Sequence, residues 1–244
     1  MRRAALLALL PCLAAMPLAA QFEGTVKMKM STGDNGQSAD VTYMMKGRKI
    51  VYLMQSAMAQ GVDIRMIIDR DAQKSTMLMP MTGAMASMAQ VPGMANAKGL
   101  MMVTDLSKAA ASTGSASATA PTFKDLGTSE TIAGYKCEDF EMTSGKNVMR
   151  MCMAKELGTF AFAGAGSMGG RRGGGGGGGA PAWAQSMGNM GFPLKVWSPD
   201  GKIAQEVTSI DRNPVPESAF AIPDGYVDMS SMLGGRRGGG GGGN

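Results

Sequence analysis

The stretch Thr25–Ser31, TVKMKMS, decides the fold class. Val26, Met28 and Met30 fall on one side of it, Thr25, Lys27 and Lys29 on the other. Side chains alternate between faces along a strand, so this period of two marks a half-buried β-strand. Ser31–Gly36 (STGDNG) has the chemistry of a turn, and Val41–Met45 resumes extended structure. Lys46-Gly47 marks a second turn before Lys49–Met54 (KIVYLM). Asp63–Asp69 (DIRMIID) and Ser75–Met79 (STMLM) then read as two strands joined across Arg70–Lys74. Short strands joined by short polar turns imply an antiparallel meander, not a βαβ sheet.

The pattern changes at Pro80. Met81, Met85 and Met88 are spaced for one face of a helix, with alanines between them, until Pro92-Gly93 stops the run. Ala109–Ala120 is a Ser/Ala/Thr-rich linker. Strands return over Gly127–Tyr135 and continue to Met153, and Leu194–Trp197 and Ile203–Ile210 flank Asp200-Gly201, a hairpin signal. The expected class is β-rich α+β, an antiparallel sheet with a Met/Ala-rich helical segment.

Residues 1–20 read as a cleaved export signal. Arg2 and Arg3 form its charged start, Ala4–Leu18 is apolar but broken by Pro11 and Pro17, and Leu18-Ala19-Ala20 ends on a small residue. Pro11 directly before Cys12 argues against a lipid anchor at that cysteine. The expected location is therefore periplasmic or secreted, with membrane association peripheral at most.

Residues 21–230 form the expected single β-rich domain, large enough for its own core. Of 24 Lys+Arg, two lie in the signal and four in two Gly-Arg tracts, leaving 18 against 19 acidic residues. The body is thus close to neutral and lacks the basic surplus of a nucleic-acid binder. The tracts, Gly169–Gly179 and Gly234–Asn244, hold 17 of the 36 glycines. Glycine offers no side chain to bury and loses the most backbone entropy on ordering. A flexible insertion at 164–191 and a disordered tail at 231–244 are expected.

Lys136–Ala154, KCEDFEMTSGKNVMRMCMA, is the most specific constellation. A hairpin centred between Ser144 and Gly145, with a four-residue loop Thr143–Lys146, would pair Cys137 with Cys152. The same register sets Asp139 against Arg150 on the cysteine face and Phe140 against Met149 on the other. A cross-strand disulfide in an oxidising compartment is favoured over a redox or metal-binding pair. There is no Cys-x-x-Cys and the chain has no histidine, the commonest general base and a common metal ligand.

After removal of the signal, 24 methionines remain, several as Met-x-Met: Met28/Met30, Met77/Met79/Met81 and Met149/Met151/Met153. In strands this spacing lines one face. Such faces serve as ordinary core, as a deformable apolar binding surface, or as soft thioether ligands for Cu(I). Plain core is favoured, and the copper reading is the weakest, because copper-handling Met motifs belong to open polar loops.

GTSETIAGYKCEDFEM, VMRMCMAKELG and AFAIPDGYVDM, with YMMKGRKIVYLM and STMLMPM in the N-terminal half, resemble domain of unknown function 4412, a family of exported bacterial proteins. The likeness runs from about Phe22 to Met229 and leaves out both Gly-Arg tracts. It implies a relation to the periplasmic lipoprotein-carrier superfamily. That relation implies an incomplete (half) antiparallel barrel wrapped over helices, with an apolar cavity. It brings no catalytic residues.

An apolar-ligand protein is the leading expectation, its partner a lipid or lipoprotein acyl chain. Val26, Met28, Met30, Met81, Met85, Met88, Phe140 and Met149 are the lining candidates, the first three facing the same side as Phe140 and Met149, under the Met81–Met88 helix. A structural or envelope-stress protein without a small ligand is the alternative. An enzyme is the weakest reading: Asp69/Asp71 flank a turn, Glu138/Asp139/Glu141 split between two faces, and no Gly-x-Ser-x-Gly occurs. No cofactor, resident metal or nucleic-acid partner is expected, and oligomeric state is not legible.

Overall fold

The computed structural model describes residues 22–31, 38–56, 62–91, 94–107, 121–158 and 190–229. The export signal at 1–20, both Gly-Arg tracts and nearly all of the 164–191 insertion lie outside them.

Twelve strands form one open sheet in the order β12-β6-β5-β4-β3-β2-β1-β11-β10-β9-β8-β7. The first meander comprises β1 (Gly24–Ser31), β2 (Ser38–Lys46), β3 (Lys49–Ser56), β4 (Val62–Asp69), β5 (Lys74–Pro80) and β6 (Gly99–Asp105). The second comprises β7 (Thr122–Ile132), β8 (Tyr135–Ser144), β9 (Asn147–Ala154), β10 (Phe192–Trp197) and β11 (Ile203–Asp211). Antiparallel pairing of β1 with β11 joins them, and the short β12 (Tyr226–Asp228) lies parallel to β6.

The expected α+β half-barrel is therefore incorrect. The sheet is open, and no α-helical layer covers it among the described residues. The Met/Ala segment is a 3₁₀ run, Gly83–Gln90, in the connection between β5 and β6. The Met81 N–H donates to the Lys98 carbonyl at 3.0 Å, so this connection leaves and returns at one end of the sheet. Met81, Met85 and Met88 have helical spacing, but Pro80, Gly83 and Pro92 leave too few residues between breakers for a stable α-helix.

Most hydrophobic burial lies on one face, here the inner face. Val26, Met28, Val41, Tyr43, Met45, Ile50 and Ile68 from the first meander pack with Cys137, Cys152, Ala154, Phe192, Leu194 and Val207 from the second. Tyr43 stands edge-on to Tyr52, with centroids 5.0 Å apart, and to Phe192 at 5.6 Å. Since β2 and β10 are separated by two strands, the second contact requires the sheet to curl toward this face.

Burial raises the hydroxyl pKa of Tyr43 above its ordinary 10.0, and that of Tyr52 likewise. The fold therefore holds both phenols neutral. Their contribution is complete below pH 10 and is lost as pH rises above it, because the unfolded chain ionises first. Thermal midpoints should be flat up to about pH 9 and fall above 10, less steeply in a Tyr43→Phe/Tyr52→Phe variant. Parallel slopes would contradict this.

The outer face of the first meander is closed by the chain after β11. Val215 and Phe220 pack on Val51, Ile67 and Leu78. Arg65 donates to the carbonyls of Ser218 and Ala219, while Lys46 and Lys49 hold Glu217 at 2.9 and 3.9 Å. The Lys46 ammonium keeps the Glu217 carboxyl below its usual range.

Candidate functional site

Register builds a continuous apolar row. Tyr43 pairs with Tyr52, Tyr52 with Met66, Met66 with Met77, and Met77 with Met102, a direct row across β2 to β6. Beside it, Met28 pairs with Val41, Val41 with Met54, and Met54 with Ile64. The near ends of both rows, Tyr43, Met28 and Val41, are buried. Toward β6, Tyr52, Met54, Ile64, Met66, Met77 and Met102 are half-buried. These unbranched thioethers present a deformable surface suited to irregular apolar shapes.

The sequence candidates separate. Val26 and Met28 are 0% and 3% exposed and belong to the packed core; Met30 is half-buried at its edge. Met81 and Met85 are half-buried in the β5–β6 connection, and the Met88 side chain lies outside the described set. Phe140 and Met149 do not join Val26, Met28 and Met30. They pack on the opposite face with Met142, Met151 and Met153, because alternation along β8 turns Phe140 away from Cys137. Tyr52, Met66, Met77 and Met102, which form this row, are not among the sequence candidates. Met-x-Met at Met77/Met79 signalled part of the surface, but only strand order reveals the row.

The second cluster surrounds the cysteines. The hairpin closes through Gly145-Lys146, with Ser144 opposite Asn147 and Gly145 at φ 60°. Glycine at the first central position suits a two-residue turn whose twist matches the strands, so this loop replaces the expected four-residue one. Pairing slips by two residues: Asp139 faces Cys152, Glu141 faces Arg150 and Phe140 faces Met151. A slip of two preserves every face. Cys137 and Cys152 are thus bridged diagonally, with Cα atoms 5.2 Å apart, and Arg150 reaches Asp139 diagonally at 2.7 Å.

Around this bridge, Asp139 is 1% exposed. Its Oδ2 accepts hydrogen bonds from Arg150 Nη2 and from the Thr128 hydroxyl, both at 2.7 Å. Its Oδ1 is buried with no hydrogen-bond donor among the described residues. Glu130 faces Cys137 from the edge strand β7 and pairs with Lys195 at 3.6 Å. Carboxylate oxygens of Glu130 and Asp139 and the Cys152 sulfur all lie within 4.8 Å of one another. Arg150 and Lys195 flank the Trp197 ring at 4.4 and 5.0 Å from its centroid. The hydrogen bond to Asp139 raises the Arg150 pKa.

A cleft of about 330 Å³ beside β12, lined by Ala95, Asn96, Ala97, Gly225, Tyr226 and Val227, contains none of the candidate residues. No helix among the described residues is long and apolar enough to cross a membrane.

Residues 22–226 match the family described as Domain of unknown function (DUF4412). The chain belongs to that family. No curated protein matches it. Among solved structures, PNGF-II in a C2 crystal is similar at 12% identity and a TM-score of 0.46, covering 87% of this chain and 32% of that one. PNGF-II in a P21 crystal is similar at 10% identity and a TM-score of 0.45, covering 88% and 33%. The chain spans about a third of those structures, and likeness at this level carries no functional argument. Membership in DUF4412 agrees with the resemblance read from the sequence, whereas the lipoprotein-carrier relation is not among these findings.

Proposed function

We propose that this DUF4412 protein is an exported, non-catalytic binding protein that holds an acyl chain or similar apolar ligand against the Tyr52–Met66–Met77–Met102 row. The partial burial of that row supports the reading: Tyr52, Met66, Met77 and Met102 lie in direct register across adjacent strands, packed at the margin of the core and not sealed within it. The cysteine bridge fits an oxidising compartment.

A hydrophobic fluorophore should bind wild-type protein and be displaced by a fatty acid. Met66→Asp/Met77→Asp should weaken binding at least tenfold, while Met66→Leu/Met77→Leu, with similar volume, should retain it. Tight Cu(I) binding in place of fluorophore binding would assign the thioethers to metal. Absence of both would favour the second reading, a structural envelope protein. That reading draws on the complete packing of Val26 and Met28, which behave as ordinary core.

A further inference from the structure

We infer that Cys137, Cys152, Asp139 and Glu130 form a zinc site that the disulfide closes and its reduction opens. This is a property separate from apolar-ligand binding and independent of it. Three observations converge. In register, Cys137 lies opposite Glu130 and Cys152 opposite Asp139, so two sulfurs and two carboxylates come from adjacent strands onto one face. Ligand atoms of Glu130, Asp139 and Cys152 already lie within 4.8 Å of one another, and Cys137 is bonded to Cys152. Independently of that clustering, Asp139 is 1% exposed and its Oδ1 is buried with no hydrogen-bond donor among the described residues. An unsatisfied buried carboxylate oxygen is costly, and a cation is one of the few partners that would repay it.

The donor set suits zinc. Zn²⁺ takes four ligands from thiolate, imidazole and carboxylate, with Zn–S of about 2.3 Å, which sets two sulfurs about 3.8 Å apart in a tetrahedron. Cα atoms 5.2 Å apart allow that separation by side-chain rotation alone. Charge also closes. Two thiolates and two carboxylates exceed Zn²⁺ by two negative charges; Arg150 on Asp139 offsets one, and Lys195, shared at 3.6 Å between Glu130 and Glu206, offsets part of the other. Arg150 and Thr128 bind Oδ2 and leave Oδ1 free to point at the metal, the role outer-shell partners play in zinc sites.

The chemistry balances. A dithiol reductant transfers two electrons and two protons: the Cys137–Cys152 bond breaks, the reductant closes its own disulfide, and two thiols remain on β8 and β9. Zn²⁺ then displaces both thiol protons and takes the sulfurs as thiolates. Reoxidation by a disulfide-forming oxidant removes both sulfur ligands and expels the metal.

The test uses untagged mature protein, residues 21–244, oxidised or reduced with a dithiol, dialysed against Zn²⁺ and measured by elemental mass spectrometry, with circular dichroism to follow the fold. One zinc per reduced chain and none per oxidised chain are expected. Asp139→Asn and Glu130→Gln should each weaken uptake at least tenfold, while Glu138→Gln, on the other face of β8, should not. Co²⁺ in place of zinc should give thiolate charge-transfer absorption that disappears on reoxidation. No uptake by reduced protein, equal uptake by oxidised protein, or uptake unaffected by Asp139→Asn and Glu130→Gln would each overturn the inference. The last would reduce the binding to two thiols acting alone, folded or not.

Discussion

Phe192→Ala should destabilise the protein by about 3–5 kcal/mol, lowering the thermal midpoint by roughly 10 °C. Phe192 is 0% exposed at the start of β10, where it pairs with Ala154 and meets the Tyr43 ring edge-on at 5.6 Å. The small partner on β9 cannot fill the space a truncated ring leaves, and the contact with Tyr43 joins the two meanders across β1 and β11. Loss of that contact removes both buried area and an aromatic pair. Phe192→Leu should recover much of the loss, and Val148→Ala, at a position 41% exposed, should change stability by no more than about 0.5 kcal/mol. A Phe192→Ala effect within that same small range would show that the meanders are not held together there.

Replacing both cysteines by alanine should cost about 3 kcal/mol, the chain-entropy value for a loop of this size. The bridged residues are 15 apart in sequence and 1% and 0% exposed. Alanine is the informative substitution because serine would add a hydroxyl able to hydrogen-bond the neighbouring Asp139 and Glu130 carboxylates. Thiol labelling of unfolded, unreduced mature protein should find no free cysteine. Full labelling, or a double variant as stable as wild type, would contradict the bridge or its contribution.

The contrast between the two cysteine-hairpin readings shows what a sequence carries. Strand identity and face were legible from alternation, so Cys137, Asp139, Arg150 and Cys152 were assigned to one face correctly. Register was not, since it depends on loop geometry: Gly145 at φ 60° selects a two-residue turn and moves every pair by two. The ion pair and the bridge survive because a slip of two keeps faces. Glu130 could not be placed beside Cys137 without the β7–β8 pairing, set by the two-residue turn Ala133-Gly134 that puts Ile132 opposite Tyr135.

The same limit governs the candidate site. TVKMKMS marked Val26, Met28 and Met30 as an apolar face, and that face is core. Whether an apolar face is core or surface depends on what lies above it and on strand order, neither of which is local. β1 sits mid-sheet between β2 and β11, so Val26 and Met28 are covered from both sides. β4, β5 and β6 lie toward an edge, so Met66, Met77 and Met102 are only partly buried. The Met81–Met88 segment misled because its spacing is helical while its breakers are not. Phe140 and Met149 misled because a hairpin read in isolation does not say which of its faces joins the larger core.

Native mass spectrometry of protein purified without detergent from the cells that make it tests apolar-ligand binding most directly. A lipid-sized adduct that organic extraction removes, and that Met66→Asp/Met77→Asp lacks while remaining folded, is the expected result. A clean apo mass for wild type, together with no fatty-acid-displaceable fluorophore binding, would contradict it.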